Sequence, residues 1–151
     1  MRSSSASLRT IASAQADFRA NDRDGNGRTD YWRPDLVGLY ALKNEGQALK
    51  LIELSVAAAD DHPLISMAEY SVPFSRAGFW YRALPHADES TRGPDRFAAC
   101  AYPESIAEGR YGTYAISEKN VVHKKMLGHA RGIGAHPTEA HLKAEEWETL
   151  D

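Results

Sequence analysis

The sequence predicts an α+β fold, in which an N-terminal α-helical spine packs on an antiparallel β-sheet and a short C-terminal helix follows. Two observations lead to this prediction. Near the N-terminus, an alanine-rich segment carries apolar residues at helical spacing. In the second half of the chain, short runs rich in aromatic and small apolar residues alternate with turn signals, which is typical of strands.

The bulk composition indicates one globular domain. The chain has 151 residues, of which 42% are apolar and 26% are charged, as in ordinary folded proteins. We expect a single domain in four parts: a helix over residues 3–20, an acidic loop over 21–35, a head with the sheet over 36–127, and a tail with a helix over 128–151. The net charge of -3 argues against nucleic acid or an anionic membrane surface as the main partner.

Cysteine content and the length of apolar runs bear on the compartment of the protein and on its association with membranes. The single cysteine, Cys100, excludes an intramolecular disulfide and is expected to be a small buried side chain. A membrane-spanning helix is not predicted, because the chain has no run of about 18 apolar residues. The first residues, Met1–Ser5, contain no apolar stretch of the kind that secretory signals carry.

The first helix is predicted over Ser3–Ala20. Leu8, Ile11 and Phe18 fall on one face of this helix, and Gln15 interrupts that face. Serines at the start can cap the helix. Two interpretations stay open: the helix packs on the core of its own domain, or it belongs to a helix that continues into a larger assembly.

An acidic loop follows the helix and is the strongest candidate for a binding site. Counted from Asp22, it supplies oxygen ligands at the first, third, fifth, seventh and ninth positions of a helix-loop-helix calcium site. The predicted calcium ligands are Asp22, Asp24, Asn26, Arg28 through its carbonyl, and Asp30. The sixth position is Gly27, as the pattern requires, but the twelfth is Arg33, where a bidentate carboxylate is needed. Asp35 or a more distant carboxylate would have to supply that ligand.

The same loop also fits a turn that needs no metal. Asn and Asp side chains bond to backbone groups two residues ahead, and glycine adopts positive φ. The sequence leaves both interpretations open. If a metal binds, oxygen ligands favour calcium over zinc.

Three further helical segments are expected beyond the loop. Asp35 can cap a short helix over Leu36–Leu42. The segment Ala48–Ala59 is dense in apolar residues; its first half fits a strand or a helix, and its alanine-rich second half favours a helix. Near the C-terminus, Pro137 and Thr138 open a helix that is predicted to extend to Leu150.

Four strands are predicted in the second half of the chain. Ala77–Leu84 is rich in aromatic residues and is predicted to be the first strand. A polar loop over His86–Asp95 is expected to follow it. The segments Arg96–Tyr102, Tyr111–Ser117 and Val121–Leu127 are expected to form an antiparallel meander, in which the last two strands are a hairpin.

No convincing catalytic set is present, and we expect the chain not to be an enzyme. No pair of histidines has the i, i+4 spacing of a helical zinc motif. All of the histidines are interpreted as separate surface residues: His62, His86, His123, His129, His136 and His141. A pocket that gathers His123, Cys100 and a carboxylate would reverse this expectation.

Several stretches resemble the type IV pilins and the pseudopilins of type II secretion. Residues 7–18 resemble the C-terminal half of the long first helix of these proteins. The acidic loop and the Gly38-Leu-Tyr that follows resemble a bacterial subgroup that overlaps an uncharacterised secreted family. Residues 97–103 and 111–123 resemble the sheet of that subgroup, and residues 144–151 resemble its tail.

The resemblance implies subunits that assemble into extracellular, cell-surface or periplasmic filaments of a bacterium. The implied partners are copies of the chain or other pilin-like subunits, bound through the spine helix. The hydrophobic half-helix that inserts such subunits into the membrane is absent from this sequence, so a membrane would be contacted only through a segment that it lacks. The calcium site of major pseudopilins lies in a C-terminal loop and does not transfer to the acidic loop.

Three functional hypotheses follow. The first is a non-enzymatic structural subunit, the soluble head of a pilin-like protein. The alternative is a soluble secreted binding domain of unknown ligand that calcium stabilises. An enzyme is the third and least favoured interpretation.

Overall fold

Helices and short strands mix in the first half of the chain, and strands dominate the second half. The computed structural model describes residues 4–65, 73–87, 96–105 and 112–150. Its helices are α1 (Ser4–Ala20), α2 (Gly38–Ala41), α3 (Leu54–Ala58) and α4 (Glu139–Ala144). Its strands are β1 (Lys43–Asn44), β2 (Gln47–Ala48), β3 (Phe79–Leu84), β4 (Ala98–Pro103), β5 (Thr113–Ser117), β6 (Val122–Lys125) and β7 (Glu148–Leu150). This mixture confirms the general α+β prediction.

A five-stranded antiparallel sheet has the order β3-β4-β5-β6-β7, and a separate two-stranded ladder joins β1 to β2. In the large sheet, Tyr81 pairs with Ala101, which pairs with Tyr114 on the next strand. The predicted meander and its hairpin are therefore confirmed. The strand predicted from Ala77 begins instead at Phe79, because Ala77 has a φ of 51° and lies in the preceding turn.

Helix α1 packs across β4, β5 and β6 on one face of the sheet. Its apolar residues Leu8, Ile11 and Phe18 are at most 1% exposed. They share one core cluster with Ala99 and Ala101 of β4, whose small side chains leave room for the helix. Each large apolar side chain buried in this way stabilises the fold by about 1.5–3 kcal/mol. The helical periodicity in the sequence therefore identified the face of α1 that is buried.

Gln15 interrupts the apolar face of α1 and is nevertheless buried. Its Oε1 accepts the backbone N–H of Trp32 at 2.9 Å, and its Nε2 donates to the carbonyl of the same residue. One side-chain amide therefore satisfies both backbone groups of Trp32, near the C-terminal end of the acidic loop. These two bonds attach the end of the loop to the helix.

The opposite face of the sheet is covered by the segment that follows β6. Leu84, Cys100 and Tyr102 form a second apolar cluster there, against Ile133. Gly132 has a φ of 69°, and a Cβ at this position would lie 2.7 Å from the Tyr102 ring. The prediction that Cys100 is buried is confirmed, and burial raises the pKa of its thiol to about 12.

The C-terminal helix is shorter than predicted. It ends at Ala144, and the prediction that it extends to Leu150 is wrong because β7 pairs with β6 instead. Glu146 has a φ of 57°, and the Trp147 N–H donates to the Leu142 carbonyl at 2.9 Å. This left-handed residue and backward bond form a Schellman motif, which glycine usually marks. Because this residue is a glutamate and not a glycine, the sequence does not indicate where the helix ends.

The two other predicted helices also differ in extent. The short helix begins at Gly38 rather than Leu36, a difference of the size that helix-boundary definitions allow. In the segment Ala48–Ala59, α3 alone is helical. Lys50 has a φ of 50°, so the first half of that segment cannot continue as a helix.

Some predicted boundaries lie outside the described residues. These are the helix start at Ser3, the strand start at Tyr111 and most of the loop His86–Asp95. Within the described residues, no helix combines the length and the apolar character that a membrane crossing requires.

Candidate functional site

The acidic loop brings together most of the predicted calcium ligands around the side chain of Asn26. The Asn26 amide nitrogen donates to Asp24 Oδ2 at 2.9 Å and to Asp30 Oδ2 at 3.3 Å. Its Oδ1 accepts the backbone N–H of Arg28, an exposed residue, at 2.8 Å. Asp22 Oδ2 accepts another backbone N–H of the loop at 2.9 Å. The bonds from the two backbone N–H groups are of the kind that stabilise a turn without metal.

The loop nevertheless concentrates unrelieved negative charge. Asp22 Oδ1 and Asp30 Oδ1 are buried and have no hydrogen-bond partner among the protein atoms. Burial raises the pKa of Asp24, a backbone N–H from Asn26 opposes the rise, and the carboxylates of Asp22 and Asp30 add to it. Because neighbouring carboxylates disfavour one another's charged forms, a cation in this loop would relieve the repulsion.

The loop is not a preformed metal centre. Across the described parts of the chain, no three His, Cys, Asp or Glu side chains stand in a geometry that holds a metal ion. Asp35 does not replace the missing twelfth ligand, because its Oδ1 accepts from Trp32 Nε1 at 2.8 Å and from the Gly38 N–H at 2.9 Å. Its Oδ2 accepts the N–H of Leu64 at 2.7 Å. Calcium binding by the loop stays a prediction.

The loop also connects α1 to the head. Arg23 Nε contacts Asp17 Oδ1 of α1 at 2.6 Å, and a hydrogen bond from Arg23 holds the pKa of Asp17 below its ordinary value. The Arg23 carbonyl accepts from Asn44 Nδ2 at 2.8 Å. Arg19 of α1 donates to the Thr29 carbonyl at 3.1 Å. Protein hydrogen bonds and an ion pair therefore attach the loop both to α1 and to the head.

A buried aspartate, Asp60, anchors the start of α2. It is 1% exposed, and its Oδ2 accepts the N–H groups of Leu36 and Val37 at 2.7 and 3.0 Å. Its Oδ1 accepts the N–H of His62 at 2.9 Å. Burial raises the pKa of Asp60 to about 6, although the three N–H bonds act in the opposite direction. No local spacing in the sequence marks Asp60 as an anchor, because Leu36 and Val37 lie far from it in the chain.

A second polar cluster centres on Asp61. Arg82 donates to both of its oxygens, from Nη2 to Oδ2 at 2.6 Å and from Nε to Oδ1 at 3.1 Å. The Tyr102 hydroxyl also donates to Asp61, and the Arg82 guanidinium lies 5.2 Å from the centre of the Tyr102 ring. Burial alone would raise the pKa of Asp61, but the bonds from Arg82 and Tyr102 hold it below its ordinary value. Burial and then Asp61 raise the pKa of Tyr102, which therefore stays a hydrogen-bond donor.

Three histidines that the sequence presents as separate lie together. The ring centres of His86 and His136 are 5.3 Å apart, and those of His123 and His136 are 6.2 Å apart. His86 and His136 are 6% exposed, so their interpretation as surface residues is wrong. His62 and His141, in contrast, are exposed as predicted. The cluster gave no sequence signal because its members come from distant segments that only the fold brings together.

Comparisons of this chain with protein families, with curated proteins and with solved structures found no match.

Proposed function

We propose that the chain is a non-enzymatic structural subunit, the head of a pilin-like filament in the periplasm or on the outside of a bacterial cell. Helix α1 is the element through which it binds copies of itself or related subunits. The two-sided character of α1 carries this proposal. One face is buried on the sheet, while Ser13, Ala16 and Ala20 on the other face are small and exposed. Small side chains allow the axis of a second helix to approach closely.

A shallow groove beside the exposed face of α1 supports docking at this position. It has a volume of about 380 Å³, and its lining residues are Ala16, Arg19, Ala20, Thr29 and Tyr31. The Arg19 guanidinium lies 5.1 Å from the centre of the Tyr31 ring, which adds an aromatic surface and a positive charge to the groove. A smaller neighbouring groove of about 150 Å³ also borders Ala16 and Tyr31 and extends to Ala12. The two grooves together follow α1 from Ala12 to Ala20, which is about two helical turns.

The buried polar groups support a structural rather than a catalytic role. The carboxylate of Asp61 is held by Arg82 and Tyr102, as a structural ion pair would be. Burial raises the pKa of the Cys100 thiol to about 12, which keeps the thiol protonated at neutral pH. Ala115 separates Cys100 from His123 across two strand pairings, which corresponds to roughly 9–10 Å between backbones. A catalytic pair of these two residues is therefore not favoured.

Self-association through α1 is tested by sedimentation velocity over a range of concentrations. The wild-type chain is expected to associate as concentration rises, and Ala16→Arg is expected to remain monomeric because a long cation blocks the close approach. Ala144→Arg, at an exposed position of α4, is the matched control and should associate like the wild type. A wild-type chain that stays monomeric at every concentration, or an Ala16→Arg variant that associates normally, would contradict the proposal.

The alternative function, a calcium-stabilised secreted binding domain, rests on a different observation. Asp22 and Asp30 each direct one buried oxygen that no protein group satisfies. In this alternative the ion is held by Asp22, Asp24, Asn26, the Arg28 carbonyl and Asp30, with the loop rearranged around it. The Asn26 amide nitrogen, which now donates to Asp24 and Asp30, would have to leave the space between them.

Melting curves with calcium and with chelator test this alternative. Binding to the folded state raises stability by about 2.7 kcal/mol when calcium is at 100 times its Kd. Asp30→Asn should abolish the calcium shift, whereas Glu45→Gln, an exposed control outside the loop, should retain it. In chelator, Asp24→Asn should be neutral or stabilising, because it removes like-charge repulsion. Coincident curves for the wild type at millimolar calcium would leave the loop as a turn.

A further inference from the structure

Two backbone hydrogen bonds, here called the latch, join the end of β3 to the segment that precedes α4. The His136 N–H donates to the Pro85 carbonyl at 2.8 Å, and the Ala87 N–H donates to the His136 carbonyl at 2.9 Å. These bonds bring His86 and His136 side by side, with ring centres 5.3 Å apart. The latch therefore places a titratable side chain on each of the two segments that it joins.

The surroundings of the His136 ring suit a neutral imidazole. Its Nδ1 lies 2.9 Å from the Pro137 carbonyl, which can only accept, so Nδ1 carries the proton. Nε2 then carries a lone pair, and this buried atom has no hydrogen-bond partner among the protein atoms that the structure describes. The whole residue is only 6% exposed. A second proton, on Nε2, would add a buried charge and a donor without a protein acceptor.

Titratable and charged groups from several elements surround this ring. They are His86 after β3, Glu118 and Lys119 after β5, His123 in β6, and Glu139 in α4. The two neighbouring imidazoles disfavour a positive charge on His136, whereas Glu118 favours it. Burial outweighs that carboxylate and lowers the pKa of His136 to about 4. Burial also holds the pKa of His123 below its ordinary value.

We propose that the latch is an acid-sensitive switch, which opens when His136 takes up a second proton. In the open latch the ring is in water and binds that proton near the ordinary value of 6.5, whereas in the closed latch it binds only near pH 4. Acid therefore shifts the equilibrium toward the open latch. The closed latch is fully favoured above pH 6.5 and loses stability as the pH falls toward 4.

The opening is confined to the chain between Ile133 and α4. Arg82 donates to the Ile133 carbonyl at 3.0 Å and to Asp61, whose pKa lies below 3.8, so this attachment persists while the latch opens. On the other side, Lys119 pairs with Glu139 of α4 at 2.9 Å, and both side chains are exposed. An exposed pair of this kind contributes little. Acid should therefore release the start of α4 from the end of β3 and leave the sheet intact.

Native-state hydrogen exchange of the full chain, followed by NMR, tests the switch. The two pKa values predict that the opening equilibrium rises about 20-fold between pH 7 and pH 5. The protection factors of the Ala87 and His136 N–H groups, which compare intrinsic with observed exchange rates, should fall by the same factor. The Tyr81 N–H, which donates to the Ala59 carbonyl outside the latch, should change much less. Latch protection that is independent of pH, or parallel loss at all three amides, would overturn the proposal.

His136→Gln removes the titrating ring, so the protection of the Ala87 N–H should no longer depend on pH between 7 and 5. The matched control is His62→Gln, because the side chain of His62 is 70% exposed and lies outside the latch. This control should keep the wild-type pH dependence. If His136→Gln kept it too, protonation of His136 would not be the trigger.

A measurement on the wild-type chain alone keeps the proposal testable if His136→Gln fails to fold. The ring nitrogen resonances of His136 are followed from pH 7 to pH 4 together with the exchange of the Ala87 N–H. The ring should take up its proton only in step with the loss of protection at Ala87. A His136 ring that is protonated while the Ala87 N–H keeps its full protection would refute the switch.

Discussion

The buried carboxylate of Asp60 should make the protein more stable as the pH falls from about 6 to about 4. The folded chain binds a proton at Asp60 near pH 6, whereas the unfolded chain binds it only near the ordinary value of 3.8. Since the folded state then holds more protons in this window, the free energy of unfolding rises with acidification. The contribution is fully present below pH 3.8 and is lost as the pH rises through 6.

The size of this effect follows from the two pKa values. The difference between 3.8 and about 6 corresponds to about 3 kcal/mol between the two ends of the window. Asp60→Asn removes the titrating carboxyl group, so the part of the pH dependence of the free energy of unfolding that comes from Asp60 should disappear. The amide keeps only one acceptor oxygen where the carboxylate accepts three N–H groups, so the variant should also be less stable by about 1–3 kcal/mol.

Urea denaturation followed by circular dichroism at pH 4, 5, 6 and 7 measures this difference. The free energy of unfolding of the wild type minus that of Asp60→Asn should be largest at pH 4 and should shrink toward pH 7. Glu45→Gln serves as the control for loss of an exposed carboxylate. If the wild type and Asp60→Asn showed parallel pH profiles, the protonation argument for Asp60 would be refuted.

Two other predictions concern the second face of the sheet. Gly132→Ala should destabilise the fold by about 1–3 kcal/mol in urea denaturation, because its φ is 69° and a Cβ would lie 2.7 Å from the Tyr102 ring. Gly134→Ala, where a Cβ would meet no atom within 4 Å, is the control and should change stability little; equal effects would contradict the packing argument. Arg82 and Tyr102 hold the pKa of Asp61 below 3.8, so its carboxylate should contribute to the free energy of unfolding down to pH 3.8. This contribution should be lost only as the pH falls further, and Asp61→Asn should show no such loss. Parallel acid profiles for the wild type and Asp61→Asn would speak against this.

The elements with a periodic signal were predicted from the sequence. Leu8, Ile11 and Phe18 recur at helical spacing, and their burial follows from that spacing alone. The meander was predicted because each strand is short, apolar and bounded by turn residues. The end of α4 was missed because Glu146 takes the left-handed conformation that glycine usually supplies, which allows β7 to form.

The polar clusters were not predictable from the sequence, because their members are distant in the chain. Asp60 bonds to Leu36, and His86 lies beside His136, through folding that no local spacing encodes. The acidic loop is the opposite case, since Asp24, Asn26 and Asp30 are close in sequence and also meet in space. Local spacing therefore identified the loop. Whether the loop binds an ion depends on the repulsion among its carboxylates, which calcium titration measures.

In the proposed function, copies of the chain assemble through the exposed face of α1. The most direct test is cysteine cross-linking of Ala16→Cys, with Ala144→Cys as the control. Cys100 is fully buried and does not compete for the reagent. A bifunctional maleimide should join Ala16→Cys into dimers and leave Ala144→Cys mainly monomeric. Cross-linking that is absent from both variants, or equally efficient in both, would contradict assembly through α1.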